Sequence, residues 1–266
     1  MANLINNQQD TSVILFDNIT HRGTAIKMIY TPELGISCYM DNKIQSSEFD
    51  EKEYHCALVD PIMQKLKPRS VCIFGGGEGA TAREVLKYEY VEHVLMIEWD
   101  KDVLELFIRR FPQWAKGAWQ DKRLRIEIAD AFTVCNDVRQ YDVIIVDLFD
   151  PADGQSLKWF NFITHIVKWA QLGVAIYCGT RQHDSYTISK SVRFTEDILN
   201  KHMTYTTIYS KHIPSFAEVI ENNRHIITTD TLLGKYQHRE EEDAVFIIGT
   251  MQEMTLWENI KHLCCY

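Results

Sequence analysis

Residues 70–84 read SVCIFGGGEGATARE, and the rest of the chain is organised around this stretch. Its first five residues are mostly apolar and strand-sized. Gly75, Gly76, Gly77 and Gly79 then form a loop whose backbone can approach a ligand closely. The residues that follow open a helical pattern. Strand, glycine loop and helix in succession are the context in which a glycine motif reads as a nucleotide-binding turn. Glu78 sits in the middle of it. Such loops usually receive anions on their N–H groups, and a carboxylate repels an anion. The ligand is therefore expected to tolerate, or to need, a negative charge there.

Downstream of the loop, strand-sized apolar runs alternate with helical patterns. The strand candidates are SVCIF (70–74), VLMIEW (94–99), LRIEIA (124–129), YDVIIVDL (141–148), GVAIYC (173–178), YTTIYS (205–210) and HIITT (225–229). Helical patterns fill gaps at 79–88, 101–110 and 157–170. This alternation predicts an α/β fold, a seven-stranded, mostly parallel sheet covered on both faces. Upstream, residues 13–45 alternate apolar and polar, with turn residues at Pro32, Gly35 and Asp41-Asn42, which predicts a small N-terminal antiparallel β-domain. Residues 51–66 look helical, with Pro61 expected to break or kink the helix. Residues 231–266 read as a tail, its charge cluster from Arg239 to Asp243 forming a solvated helix face. The expected division is a loose leader (1–12), the β-domain (13–60), the α/β domain (61–250) and a C-terminal tail (251–266).

The chain has 266 residues and 45% hydrophobic content, enough for one large α/β domain with a small extension. A formal net charge of −9 disfavours nucleic acid or an anionic membrane as partner and suits a cationic substrate. The seven cysteines (38, 56, 72, 135, 178, 264 and 265) include no CxxC pair and no zinc spacing. They read as reduced thiols of a cytoplasmic protein, with no metal expected. The terminal Cys-Cys-Tyr does not match a prenylation signal. The first twelve residues lack a signal-peptide core, and no apolar run is long enough to cross a membrane.

In open α/β sheets, ligands bind at the carboxyl ends of the strands. Four consecutive strand ends each carry an acid: Glu78 after the first, Glu98 and Asp100 at the second, Asp130 at the third, Asp147 and Asp150 at the fourth. Glu98 lies about twenty residues past the loop, where an acid typically accepts hydrogen bonds from a ribose diol. Asp130 could accept from an adenine amino group or cap the next helix. Asp147 and Asp150, ahead of Pro151, are either a pair that binds and deprotonates an amine or two turn aspartates. A dinucleotide enzyme would share the loop and Glu98, so these do not decide the class.

FGGGEGATAREVLKY, IEWD and DVIIVDLFDP resemble the polyamine aminopropyltransferases, that is, the spermidine, spermine and thermospermine synthases. MDNKIQSSEFDEKEYHCALVDP, IPSFA (213–217) and KYQHREEEDAVF resemble further motifs of that family in the same order. The resemblance runs from about residue 35 to 250 and is closest to the thermospermine-synthase branch. It implies a Rossmann-like catalytic domain, a homodimer or homotetramer, and transfer of an aminopropyl group from decarboxylated S-adenosylmethionine, a co-substrate, to a polyamine. Carried over by position, Asp147 is the proton acceptor and Asp150 holds an amine of the acceptor. Glu98 meets the ribose, and Asp130 with Ala131 the adenine. Tyr54, His55 and Glu78 surround the transferred group or the acceptor amine. Gln45 matches a glutamine of the β-domain, and Ser215 and Phe216 belong to the acceptor loop. The chain departs from the family at RGTAIKM (22–28), ADGQS (152–156), Cys178 and EVIENNRH (218–225), where donor- and acceptor-side residues of the pattern are missing.

A sulfonium carbon is already electrophilic, so this chemistry needs no metal. It needs a neutral amine, oriented and stripped of a proton by a carboxylate such as Asp147. An S-adenosylmethionine N-methyltransferase acting on an amine would share the loop, Glu98 and Asp130. A non-catalytic polyamine-binding relative is the reading from another class.

Overall fold

A computed structural model describes residues 12–134, 139–151, 156–182, 189–217, 220–221, 224–225 and 242–251. The expected leader up to residue 11 and the tail beyond 251 lie outside the described residues.

The described residues open with four antiparallel strands, β1 (Val13–Ile19), β2 (Ala25–Thr31), β3 (Gly35–Met40) and β4 (Lys43–Ser47), paired in that order. The tight β3–β4 turn uses Asp41 and Asn42 at φ of 50° and 62°, the conformation that short hairpin turns demand. One face of this sheet packs Ile26, Met28 and Cys38 against Val103, Phe107, Phe111 and Trp114.

Helix α1 (Glu51–Leu66) follows, and it runs through Pro61 without interruption. Proline at 61 cannot donate to the Ala57 carbonyl four residues back. That carbonyl accepts instead from the Tyr209 hydroxyl, at 2.7 Å, so the break expected at Pro61 is avoided by a partner from a distant strand. The boundary expected at 60/61 falls inside this helix, and we propose a division after Ser47.

The main sheet begins with β5 (Ser70–Gly75), then α2 (Ala80–Leu86), β6 (His93–Glu98), α3 (Lys101–Arg110), β7 (Leu124–Ile128), α4 (Ala131–Val134), β8 (Tyr141–Asp147), α5 (Ser156–Trp169), β9 (Ala170–Gln182), α6 (Lys190–His202) and β10 (Tyr205–His212). A short ribbon pairs β11 (Ile220–Glu221) with β12 (Arg224–His225), and β13 (Glu242–Thr250) closes the described fold. Sheet order is β10-β13-β9-β8-β5-β6-β7. The five strands from β9 to β7 are parallel, and β13 runs antiparallel between β9 and β10. The sheet is thus the predicted α/β sheet of seven strands, mostly parallel. Val71, Cys72, Ile73 and Phe74 are all fully buried, as a central strand covered on both faces must be. One cover includes α1 and α2, the other α5 and α6. Among the described residues, no helix is long and apolar enough to cross a membrane.

The seventh strand is not the one expected. His225 pairs in the small ribbon, and residues 226–229 lie outside the described residues. The seventh strand is β13, drawn from the stretch read as a tail. Its charged start hides an apolar run, Ala244 to Ile248, that is buried throughout. Asp243, expected on a solvated helix, is buried and paired with Arg181 at 3.1 Å.

Candidate active site

β5 and β8 are neighbours in space but not in sequence, and their carboxyl ends meet where Gly75 pairs with Asp147. Strand order reverses here, which is where open α/β sheets form a crevice. The glycines of the loop serve different contacts. Gly75 has φ of 85°, and a β-carbon on it would lie 2.0 Å from the Asp147 carbonyl oxygen. At Gly77 a β-carbon would lie 2.8 Å from Glu98 Oε2. Gly76 lies close to Thr81 and the Asp147 carboxylate. Gly79 faces protein, since its β-carbon would meet Trp119 and Ala115 at 2.4 and 2.6 Å. The loop therefore brings two carboxylates, Asp147 and Glu98, against its own backbone.

Asp147 is held from both sides. Its Oδ1 accepts from the Tyr54 hydroxyl at 2.8 Å, and Oδ2 accepts from the Thr81 hydroxyl at 2.5 Å. Burial and the adjacent Asp147 push the Tyr54 phenol well above its ordinary range, so it remains a donor. His55 Nε2 lies 2.7 Å from Glu78 Oε1 and 3.9 Å from Asp147 Oδ2. Its Nδ1 faces the Glu51 carbonyl at 2.5 Å and the Glu51 carboxylate at 3.2 Å. Acceptors on both sides are satisfied together only by an imidazolium, which donates at each nitrogen. Burial opposes that charge, but Glu78, Glu51 and Asp147 outweigh it and hold the His55 pKa well above its usual value. Burial raises the Glu78 pKa, opposed by the His55 charge. Behind His55, Arg83 donates to both Glu51 oxygens at 2.9 and 3.0 Å. Burial would raise the Glu51 pKa, but the bonds from His55 and Arg83 bring it down to about 2. Arg83 is shared between Glu51 and Glu84, so carboxylates outnumber bases around His55 and the site beside the crevice is acidic.

An aromatic wall adjoins this cluster. Tyr54 lies 5.4 Å from Tyr177, 5.6 Å from Phe216 and 5.5 Å from Phe246, ring centre to ring centre. Gly179, at φ of 94°, leaves room for Asp150, whose carboxylate a β-carbon there would meet at 2.7 Å. Ser215 is buried, with its N–H and hydroxyl both donated to Asp50.

The remaining predicted residues make contacts of their own. Glu98 accepts from the Asp100 N–H at 2.8 Å, and burial lifts its pKa to about 7. Asp130 accepts from the Phe132 N–H at 2.9 Å at the start of α4, with Ala131 buried beside it. Gln45 is exposed on β4 and donates to the Lys43 carbonyl. Cys178 is buried on the other face of the sheet from Tyr177, its thiol pushed by burial to about 12. Cys56, Asp60 and Glu84 have metal-like spacing, but the Lys87 ammonium lies 2.7 Å from both carboxylates and already meets their charge.

Sequence reasoning did not single out Thr81, Glu51, Asp50, Tyr177 or Gly179. Thr81 and Glu51 lie inside motifs that were quoted. Tyr177 and Gly179 flank Cys178 and were findable as strand-end residues. Asp50 also lies inside a motif that resembles the family, next to Glu51, but its partner Ser215, 165 positions away, could not be read from that motif.

A profile of the spermine/spermidine synthase domain matches residues 51–226. Polyamine aminopropyltransferase 2 of Hyperthermus butylicus is 45% identical over 123 residues, which is 46% of this chain and 40% of that protein. The polyamine aminopropyltransferase of Pyrobaculum aerophilum is 30% identical over 226 residues, 79% of this chain and 76% of that one. The matches to the Hyperthermus protein and to its Saccharolobus counterparts thus span less than half of those relatives' lengths. Among solved structures, a spermidine synthase in complex with the transition-state analogue AdoDATO superposes with a TM-score of 0.69 at 23% identity, covering 92% of this chain and 75% of that one. The Thermotoga maritima spermidine synthase gives 0.66 at 22% identity, covering 91% and 74%.

Proposed function

The chain belongs to the spermine/spermidine synthase family, and from that premise we propose that it transfers an aminopropyl group from decarboxylated S-adenosylmethionine to a di- or triamine such as putrescine or spermidine. The single observation that carries this reading is the Asp147 carboxylate, oriented by Tyr54 and Thr81 at the strand-order reversal, beside the glycine loop.

In the proposed reaction, an amine nitrogen forms a bond to the aminopropyl carbon attached to the sulfonium. The carbon–sulfur bond breaks with its electron pair on sulfur, and methylthioadenosine leaves as a neutral thioether. Asp147 takes the proton of the attacking amine, and Asp150 holds another ammonium of the acceptor. Two fixed bonds on Asp147 hold the base in place for in-line attack. Glu98 accepts from the ribose hydroxyls, the loop from Gly75 to Gly79 supports the donor, and Asp130 with Ala131 borders the adenine. The residual negative charge of the Asp147–Glu78–His55 cluster favours a donor that ends in an ammonium. The Tyr54, Tyr177 and Phe216 rings suit the methylenes of a polyamine. A cytoplasmic homodimer or homotetramer belongs to the same proposal, its assembly testable by mass photometry.

The deciding experiment is mass-spectrometric identification of products from a panel of di- and triamines with the decarboxylated donor. Methylthioadenosine release with gain of one aminopropyl group is expected. A methylated amine formed from S-adenosylmethionine, or no product with any amine, would overturn the proposal.

A further inference from the structure

Asp50 stands at the N-cap of α1, where aspartate normally bonds an N–H of its own first turn. Here its side chain makes no such bond. The residue is 4% exposed, and a buried carboxylate is costly unless its oxygens are hydrogen-bonded. Both oxygens are directed across the molecule: Oδ2 accepts from the Ser215 N–H at 2.8 Å and Oδ1 from the Ser215 hydroxyl at 2.7 Å. The next residue, Phe216, lies with its ring centre 5.6 Å from Tyr54 and 6.4 Å from Tyr177. Tyr54 is one helical turn beyond Asp50, and its hydroxyl holds Asp147. The first turn of α1 therefore grips the 213–217 turn with one residue and receives its aromatic ring with another.

We propose that Asp50 is a positioning residue for the acceptor: it latches the 213–217 turn to the start of α1, so that Phe216 closes the aromatic wall against Tyr54, the partner of Asp147. The proposal rests on the aminopropyl-transfer reading for what the acceptor is. Asp50 touches no reacting atom. Its effect belongs to the acceptor side, because the donor-side carboxylate, Glu98, is held by the Asp100 N–H and packed on Gly77, whereas the Asp50 carboxylate is held by Ser215.

Asp50→Asn keeps size and capping capacity but replaces one acceptor oxygen with a donor, and Ser215→Ala removes only the hydroxyl bond. In Asp50→Asn the Michaelis constant for the amine is expected to rise about tenfold, with kcat within about threefold and the donor Kd within about twofold. Amide exchange across 213–217 is expected to quicken by about tenfold or more, with a smaller change of the same sign in Ser215→Ala. An unchanged amine constant beside a lowered Tm reduces Asp50 to a purely structural residue and overturns the proposal. Unchanged exchange at 213–217 overturns the latch itself. If wild-type protein transfers no aminopropyl group, the proposed function fails on that result, and exchange in Asp50→Asn still decides whether the latch exists.

Discussion

Asp147 accepts from two hydroxyls, and the amide of Asp147→Asn can still accept from one of them while it can no longer take a proton. Turnover in Asp147→Asn is expected to fall ~100-fold or more at neutral pH, with donor Kd within about twofold. Steady-state rates and calorimetry check this, and near-normal turnover would remove Asp147 as the base. Glu78 raises a different question, since it is not the lone carboxylate its position in the loop implied. His55 sits 2.7 Å from it, so its charge is partly met. What remains is the excess of carboxylate to which Glu78 contributes beside Asp147. Glu78→Gln reduces it, and the preference for the decarboxylated donor over S-adenosylmethionine is expected to shrink about tenfold, read by calorimetry with both ligands. Glu98 adds a pH dependence. Burial holds its pKa at about 7 in the free protein, whereas a ribose diol donates to the ionised form. Donor affinity is therefore expected to rise from about pH 6 to about pH 8, with release of a proton on binding. An affinity flat across that range would separate Glu98 from the ribose.

At the scale of elements, α1 carries more of the site than any strand. Tyr54 and His55 reach Asp147 and Glu78 from its first turns, Glu51 holds His55, and Asp50 holds Ser215. The helix continues through Pro61, and the Tyr209 hydroxyl takes the carbonyl that proline leaves without a donor. Tyr209→Phe keeps the ring and orphans that carbonyl inside the packing between α1 and β10. A loss of about 1–3 kcal/mol is expected in urea unfolding. A change below about 0.5 kcal/mol would mean that the carbonyl finds another donor. The glycine loop works similarly by close approach: Gly75 lets β5 press on the Asp147 backbone, and Gly79 seats the start of α2 on Trp119.

For the whole molecule, the buried charges predict how stability follows pH. Glu51 has an ordinary value of 4.5 and sits at about 2 in the folded protein. Its folded value is depressed, so its contribution is fully present above about pH 4.5 and is lost as pH falls through about 2. The size is on the order of 3 kcal/mol. Glu51→Gln resembles the protonated side chain in shape. Its stability deficit against wild type is expected to be largest near neutral pH and to vanish by about pH 2, as read from denaturant midpoints across pH. A deficit that stays constant across the range would assign the loss to packing instead. His55 works in the opposite sense. Its pKa is raised, so its contribution is present below the ordinary histidine value and is lost only as pH climbs through the raised one. The site is therefore most cohesive between these limits, where Glu51 is ionised and His55 is protonated.

The glycine loop, the alternation of strands with helices and the carboxylates at four strand ends were legible without coordinates, because each depends on local pattern. Apolar periodicity marks a strand whatever it packs against, and a strand end has a known direction toward the crevice. The same locality explains the misreadings. Pro61 is a helix breaker until Tyr209 arrives from β10, and the charged start of β13 reads as solvent-facing until Arg181 pairs with Asp243. The roles of Asp50 and Glu51 depend on partners 165 and 32 positions away, which no local pattern contains. Sequence by itself determined six of the seven sheet strands and which edge of the sheet carries acid. Tertiary structure alone decided which of those acids are held, which are paired and which way each one points, because hydrogen bonds and buried charges are set by neighbours in space.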